Sequence, residues 1–217
     1  MNRSSRVAVF AVLLASAFAL GALLYRHFGS SRGAVTPATE TVPAEPVPTT
    51  LVDAPPVPKS LPDFTLPDLK GQPHSIREWS GRPLMINFWA TWCGPCREEI
   101  PFLNQIRREQ RVKDLEIVGI AVDLAEDVGK YVAKTPIEYP VLIGEEGGAE
   151  AASAFGVHEL ALPFTVFLDR RGDVLALRLG QLHEDQARVI LGALAELEAG
   201  RLDLSAAQAR VAAGLRE

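Results

Sequence analysis

Cysteine and histidine are scarce in this sequence. Only two cysteines and four histidines occur among the 217 residues. There is no second cysteine pair, and the histidines show no metal-ligand spacing, so a zinc or copper site is not the favoured explanation of the cysteines. No flavin or nicotinamide motif is present either. We therefore expect no cofactor beyond a redox-active pair formed by the two cysteines, Cys93 and Cys96.

The sequence also lacks a basic patch. The net charge of −5 is spread along the chain, so nucleic acid is not an expected partner. With 47% hydrophobic and 23% charged residues, a chain of 217 residues can bury one ordinary core. One folded domain is therefore expected.

Charge is absent from one long run near the amino terminus. Val7 to Tyr25 is uncharged over 19 residues, enough for a helix to cross a bilayer once. Arg3 and Arg6 on its short side predict a cytoplasmic amino terminus. We expect residues 1–28 to be a signal anchor, with a cleavable signal peptide as the alternative. Because no cysteine follows the run, a bacterial lipid anchor is excluded.

Residues 29–60 lack any helical or strand period and are rich in proline. This composition predicts a flexible tether between the anchor and the folded part. The folded domain is predicted over residues 61–200. A tail of residues 201–217 is expected to add one helix started by Ser205. Localisation is predicted at a bacterial inner membrane, with a single span and the carboxyl-terminal domain in the periplasm.

Both cysteines lie where a buried strand is predicted to turn into a helix. The apolar run Pro83 to Ala90 predicts the strand, and the apolar spacing over Cys93 to Arg108 predicts the helix. The amide groups at a helix start favour a thiolate, so Cys93 is predicted to be the low-pKa nucleophile. Cys96, one turn further along, suits the resolving role.

Several residues beside the cysteines are candidates for contact with a substrate. They are Trp92, Gly94 and Pro95, although the apolar bulk of Trp89 and Trp92 favours packing as their role. A purely structural disulfide is a weak alternative, because so short a loop restrains the unfolded chain little.

The string Trp92-Cys93-Gly94-Pro95-Cys96 after an apolar strand resembles a thioredoxin-fold active site. The surroundings resemble the membrane-anchored TlpA/ResA branch of that superfamily, in which a glutamate follows the second cysteine by three residues, as Glu99 does here. The resemblance implies an α/β thioredoxin fold with an N-terminal hairpin and a central helix–strand insertion. Asn87 stands where thioredoxin carries a buried aspartate.

Glu99 has two interpretations. It shares a helix face with Cys96 and, if desolvated, would have a raised pKa and could accept the Cys96 proton. Spacing alone equally allows a solvated helix residue, as expected for its neighbour Glu98. The resemblance favours the catalytic role.

The remaining elements follow from apolar periodicity, with Pro163 placed at the start of a strand because proline cannot donate to a sheet ladder. By the resemblance, the Leu162–Pro163 bond is cis, faces the dithiol, and lets Leu162 bind an extended substrate. Predicted elements are a hairpin near Phe64–Ile76, strands at 115–123, 139–143, 160–169 and 174–179, and helices at 125–134, 149–155 and 184–197, with Gly144, Gly147 and Gly148 in a loop.

These features predict a periplasmic thiol–disulfide oxidoreductase that reduces disulfides of exported proteins, in cytochrome c maturation or oxidase assembly. The resemblance implies a membrane thiol transporter of the DsbD or CcdA kind as the electron donor. Two alternatives remain: a copper-handling protein that uses the same cysteines, and a catalytically silent interaction module.

Overall fold

The computed structural model describes residues 58–109, 112–159 and 161–216. The predicted membrane anchor and all but the last residues of the predicted tether lie outside these ranges. Within them, no helix has both the length and the hydrophobicity that a bilayer crossing requires. At the start of the described chain, Lys59 O accepts a hydrogen bond from Val174 N, and Leu61 N donates one to Gly172 O.

The predicted order of elements is present along the described chain, including the leading hairpin and the inserted helix and strand. A short 3-10 helix, Ile76–Trp79, follows the hairpin. The strands are β1 (Thr65–Pro67), β2 (Pro73–Ser75), β3 (Leu84–Trp89), β4 (Glu116–Ala121), β5 (Val141–Ile143), β6 (Phe164–Leu168) and β7 (Val174–Leu179), and the helices are α1 (Gly94–Glu109), α2 (Ala125–Val132), α3 (Glu145–Ala154), α4 (Glu184–Glu198) and α5 (Leu204–Gly214).

The central sheet has the strand order β5-β4-β3-β6-β7. β3, β4 and β5 are parallel, and β6 runs antiparallel to both β3 and β7. All six residues of β3 are buried, as expected of a central strand covered on both faces. Consequently, the carboxyl ends of β3, β4 and β7 and the start of β6 meet at one edge of the sheet.

Alternate residues of the strands face two different cores. In one core, Ile86, Val118 and Phe164 of the sheet pack with Phe155, the residue that follows α3. The other joins Met85 and Phe167 to apolar residues of α1, α4 and α5. The fold therefore has three layers, and α1, which carries the cysteines, packs on the second face.

Helix α3 begins four residues earlier than the sequence indicates. The prediction that Gly147 and Gly148 belong to a loop is wrong, because both lie inside α3. A Cβ at Gly147 would lie 2.8 Å from Leu66 Cδ2, and one at Gly148 would lie 3.2 Å from Val122 Cγ2. These glycines allow the helix to approach the hairpin and the end of β4 closely, rather than breaking the helix.

The carboxyl-terminal helix starts differently from the prediction and packs on the domain. Asp203, not Ser205, is its N-cap, and the Asp203 side chain accepts a hydrogen bond from Ala206 N at 2.8 Å. Ala207 and Val211 are buried in the same core as α4. The segment treated as a separate tail therefore contributes to the domain core.

Gly119 in β4 provides a test of how tightly Trp89 and Tyr139 pack against the sheet. A Cβ there would lie 3.0 Å from Tyr139 Cε2 and 3.2 Å from Trp89 Nε1. Because both rings are buried, we expect Gly119→Ala to lower the free energy of unfolding by about 1–3 kcal/mol, measured by chemical denaturation.

The matched control is Gly192→Ala in α4, where nothing lies within 4 Å of the added methyl. This variant is expected to be more stable than the original chain by up to about 1 kcal/mol, since alanine favours a helix interior. Equal effects of the two substitutions would contradict the packing described for Gly119.

Candidate active site

The two cysteines form a disulfide at the start of α1. The Sγ atoms are 2.02 Å apart and the Cα atoms 5.3 Å apart. Cys93 N donates to Ala90 O at 3.2 Å, which turns the chain sharply between β3 and α1. Cys96 is fully buried and Cys93 nearly so. The strand–turn–helix arrangement predicted around the cysteines is confirmed.

Cys93 occupies the capping position of α1. Its carbonyl oxygen accepts a hydrogen bond from Arg97 N at 3.2 Å, and its Sγ accepts one from Cys96 N at 3.2 Å. In the reduced protein, the same amide and the positive end of the helix dipole would stabilise a thiolate on Cys93. Pro95 lies in the first turn, where its missing N–H costs little.

Glu99 is a buried carboxylate on the same helix as the cysteines. Its side chain is only 1% exposed. Oε1 accepts a hydrogen bond from Asn87 Nδ2 at 2.7 Å, and Oε2 accepts one from Leu182 N at 2.8 Å. Burial raises the pKa of Glu99 to about 7, although both hydrogen bonds lower it. A carboxyl group with this pKa can take up and return a proton near neutral pH.

Asn87 holds Glu99 from the neighbouring strand β3. Its Nδ2 donates both to Glu99 and to Thr165 Oγ1, the second at 3.1 Å. Its Oδ1 is buried and has no hydrogen-bond partner among the described residues. Because an amide presents both donors and an acceptor, Asn87 can donate to the ionised carboxylate or, after rotation, accept from the protonated one.

Tyr139 lies within the electrostatic reach of Glu99. Burial raises the pKa of Tyr139, and the charge of Glu99 raises it further. Its hydroxyl and the indole nitrogen of Trp89 are buried without a partner among the described residues. The face of the sheet beneath α1 is therefore more polar than the apolar pattern of its strands indicates.

The bond between Leu162 and Pro163 is cis, as predicted from the resemblance. Pro163 immediately precedes β6, and its carbonyl accepts a hydrogen bond from Gly180 N at 2.8 Å. Leu162 packs against the cluster that contains both cysteines. Next to Pro163, the ring of Phe164 stacks on Phe88 of β3 at a centroid distance of 4.2 Å. These contacts bring the proline loop beside the disulfide.

The two tryptophans near the disulfide have different environments. Trp89 is fully buried, as the packing interpretation predicts, but that interpretation is wrong for Trp92, whose side chain is 64% exposed. Gly94 is half-buried and Pro95 is exposed. An extended substrate approaching Cys93 would therefore meet Trp92, Pro95 and the half-buried Leu162.

Asp123 is a site residue that the sequence analysis missed. Its Oδ2 accepts hydrogen bonds from Thr91 N at 2.8 Å and Thr91 Oγ1 at 2.6 Å, and its Oδ1 accepts one from Leu124 N at 2.8 Å. The carboxylate thus joins the loop after β3 to the loop after β4. The sequence did offer a signal, namely an acidic residue shortly after a buried strand. In α/β folds, binding residues often follow the carboxyl ends of the strands.

No group of three or more acidic, histidine or cysteine side chains within the described ranges is arranged to hold a metal ion. The site combines Cys93 at the start of α1, the buried Cys96, and Glu99, whose pKa burial raises to about 7. These groups suit thiol–disulfide exchange.

Comparison with known proteins agrees with this chemistry. Residues 56–193 match the sequence model of the family described as Redoxin. The thiol-disulfide oxidoreductase ResA of Geobacillus kaustophilus is 28% identical over 181 residues, which cover 83% of this chain and 88% of that protein. The resemblance to ResA inferred from the cysteine motif is confirmed.

Two solved structures are similar as well. A thiol-disulfide oxidoreductase from Bacteroides fragilis is 29% identical, with a TM-score of 0.50, covering 56% of this chain and 90% of that one. A thiol:disulfide interchange protein of the thioredoxin family from Chlorobium tepidum is 25% identical, with a TM-score of 0.52, covering 66% of this chain and 95% of that one. The predicted thioredoxin-like α/β fold is therefore confirmed.

The raised pKa of Glu99 predicts a pH-dependent stability. The pKa of Glu99 is about 7 in the folded protein, against a usual value of 4.5. Its contribution to the free energy of unfolding is therefore fully present below pH 4.5 and is lost as the pH rises through 7. The loss amounts to about 3 kcal/mol. Chemical denaturation of the oxidised protein at pH 5 and pH 8 measures it.

In Glu99→Gln, this part of the pH dependence should disappear, since glutamine does not titrate. Glu98→Gln is the matched control, because Glu98 is the exposed neighbour on the same helix, and we expect it to keep the original pH profile. An unchanged pH dependence in Glu99→Gln would show that Glu99 is not the buried titrating group.

Proposed function

The chain belongs to the Redoxin family, and we infer that it works as a thiol–disulfide oxidoreductase similar to ResA. The observation that carries this inference is the Cys93–Cys96 disulfide capping α1, with the buried Glu99 three residues further along. We propose that the reduced protein reduces disulfides of other proteins.

The proposed reaction has two exchange steps. The Cys93 thiolate attacks one sulfur of the substrate disulfide, forming a mixed disulfide and releasing the first substrate thiolate. Cys96 then loses its proton to Glu99 and attacks Cys93 Sγ. This forms the Cys93–Cys96 disulfide and releases the second substrate thiolate. Two electrons pass to the substrate, and the protein ends in the oxidised form.

The roles differ because the environments of the two sulfurs differ. Cys93 Sγ accepts a hydrogen bond from Cys96 N at the helix start, and this donor favours the ionised form of Cys93. Cys96 is fully buried, so its thiol would ionise reluctantly without a nearby base. The pKa of Glu99, raised to about 7 by burial, matches the task of accepting that proton at neutral pH.

The location and partners are also part of the proposal. The uncharged run Val7 to Tyr25 supports a single-pass anchor in the bacterial inner membrane with the folded domain in the periplasm. An exported reductant must be recharged, because that compartment is oxidising. We propose a membrane thiol transporter of the DsbD or CcdA kind as the donor, and exported proteins of cytochrome c maturation or oxidase assembly as substrates.

Copper handling by the same cysteines is the alternative from another functional class. No cluster of three ligand side chains is present in the described part of the chain, so copper would be held by the two thiolates of the reduced protein. Copper retained by the reduced full chain against a chelator, without any disulfide exchange, would favour it over the oxidoreductase.

Exchange is tested directly with the full chain. The protein is reduced with dithiothreitol, the reagent is removed, and a disulfide-linked peptide is added. We expect peptide thiols to appear as the Cys93–Cys96 disulfide forms. Cys96→Ala should accumulate the mixed disulfide on Cys93, whereas Cys93→Ala should show no exchange above the uncatalysed rate. Mass spectrometry of acid-quenched samples measures each species.

Glu99→Gln should slow the release of the mixed disulfide at pH 7 by at least about tenfold, while Glu98→Gln releases it at the original rate. If reduced protein transfers no electrons to any disulfide, the oxidoreductase proposal is wrong. Equal release rates in the two variants would remove Glu99 from the mechanism but leave the exchange itself standing.

The partners are tested by trapping. Cys96→Ala expressed in its own membrane should become disulfide-linked to its substrates through Cys93, and mass spectrometry would identify them. Apocytochrome c would indicate haem attachment, and a copper-binding protein would indicate oxidase assembly. Recovery of only cytoplasmic proteins would contradict the proposed periplasmic location.

A further inference from the structure

Three buried polar atoms have no hydrogen-bond partner within the ranges that the structure describes. They are Asn87 Oδ1, Trp89 Nε1 and the Tyr139 hydroxyl oxygen. Asn87 and Trp89 are fully buried, and Tyr139 is only 5% exposed. Buried polar groups in native proteins nearly always have a protein or water partner, because an unpaired one loses its hydration without compensation. The three atoms therefore need an explanation.

The three groups surround one glycine of the sheet. Asn87 and Trp89 are two residues apart in β3, so their side chains point to the same face. Asn87 is paired with Gly119 of β4, which has no side chain to fill the adjoining space. Trp89 and Tyr139 border that space, since a Cβ at Gly119 would lie 3.2 Å from Trp89 Nε1 and 3.0 Å from Tyr139 Cε2.

Glu99 lies next to this group of side chains. Its Oε1 accepts a hydrogen bond from Asn87 Nδ2 at 2.7 Å. Burial and, to a smaller extent, the charge of Glu99 raise the pKa of Tyr139. The Tyr139 hydroxyl therefore stays neutral around pH 7, where Glu99 titrates. A neutral hydroxyl can accept one proton and donate another, so it can pass a proton on without holding it.

One bound water molecule would satisfy all three unpaired atoms. Asn87 Oδ1 can only accept a hydrogen bond, Trp89 Nε1 can only donate one, and the Tyr139 hydroxyl can do either. Water has two donor and two acceptor positions, and buried waters typically make about three hydrogen bonds to polar groups that lack other partners. The set of donors and acceptors around Gly119 fits this pattern.

Tyr139 also lines a cavity of about 510 Å³ at the outer edge of β5, beside the hairpin. Because Lys70 and Glu78 are exposed, this cavity is open to solvent. Tyr131 of α2 is a further titratable neighbour of Tyr139. Tyr139 thus lies between the buried carboxyl of Glu99 and a cavity open to water. The charged and titratable side chains that line the cavity are Asp68, Lys70, His74, Glu78 and Arg82.

The proposed exchange reaction needs such a connection above pH 7. In the reduced protein Cys96 carries a proton, whereas in the oxidised protein at this pH most Glu99 carboxyls are ionised. Each oxidation therefore releases one proton from the pair formed by Cys96 and Glu99. Cys96 is fully buried, and the substrate covers Cys93 while the mixed disulfide exists. A path that leads away from the sulfurs lets the proton leave.

We propose that Asn87, Trp89 and Tyr139 bind a water molecule beside Glu99, and that this water and the Tyr139 hydroxyl carry the proton of Glu99 to solvent. The inference rests on the proposed function, because it adds a proton path to the same exchange reaction. Tyr139 acts through Glu99, so it is a positioning residue and not a catalytic one.

The proton transfer is balanced at each atom. The protonated Glu99 carboxyl gives its proton to the water, and the water passes one of its own protons to the Tyr139 oxygen. Tyr139 then releases its original hydroxyl proton toward the cavity. The water and Tyr139 end as they began, Glu99 is again a carboxylate, and no electrons move.

The test follows the sulfurs and the proton in one reaction at pH 8. The full chain is reduced, freed of the reductant and mixed with dithiobis(nitrobenzoic acid), whose released thiolate is coloured and stays ionised. A dye that responds to pH records protons in a weakly buffered solution. The mixed disulfide on Cys93 releases the first coloured thiolate. Closure of the Cys93–Cys96 disulfide releases the second, and we expect one proton to appear together with it.

Tyr139→Phe keeps the ring that packs on Gly119 and removes only the hydroxyl. The second thiolate should appear at the original rate, whereas the proton should follow it at least about tenfold more slowly. Tyr131→Phe is the matched control, because Tyr131 packs against Trp89 at a centroid distance of 5.5 Å but is only half-buried. In this control, proton and thiolate should appear together. A merely structural role of Tyr139 would slow both signals equally.

A crystal structure of the oxidised original chain is a second measurement that needs no variant. Electron density for a water molecule within about 3.2 Å of Asn87 Oδ1, Trp89 Nε1 and the Tyr139 hydroxyl is expected. A structure without this water would overturn the inference, as would simultaneous release of proton and second thiolate in Tyr139→Phe. Both results leave the exchange reaction intact. If the original chain releases no coloured thiolate at all, the proposed function fails together with the inference.

Discussion

The buried carboxylate of Glu99 connects three parts of the domain that are distant in sequence. Its oxygens accept hydrogen bonds from Asn87 on β3 and from Leu182 just before α4, while its own backbone lies in α1. The helix that carries both cysteines is thereby fixed to β3 and to the segment that leads into α4. Its position depends on keeping this polar group satisfied, because an unpaired carboxylate in the core would be costly.

This arrangement exchanges stability for chemistry. A glutamine or an apolar residue at the same place would avoid the cost of ionising a buried acid, whereas Glu99 has a pKa near 7 through its burial. Groups perturbed in this way are common at active sites, since a proton acceptor must change its charge at the working pH. Cys93 shows the opposite strategy, because in the reduced protein the Cys96 amide, which donates a hydrogen bond to Cys93 Sγ, would favour the ionised form of this cysteine.

Much of the fold follows from local patterns, and much of the site does not. The apolar run of β3 and the cysteine spacing predict the strand, the turn and α1, because each depends on neighbouring residues. Gly147 and Gly148 misled the prediction, since their role is close contact with Leu66 and Val122, which are distant in sequence. Leu182 binds Glu99 through its backbone, a contact that leaves no residue-type signal.

The two edges of the sheet, at the amino and carboxyl ends of the parallel strands, differ in the polarity of the side chains they present. At the amino ends of the parallel strands, Glu116 is paired with Arg82 and Arg107, so this edge presents polar groups that already have partners. At the opposite edge, Trp92, Leu124 and Leu179 remain exposed around the disulfide. Apolar contact with a protein substrate would be favourable at the second edge, whereas contact at the first would desolvate paired charges.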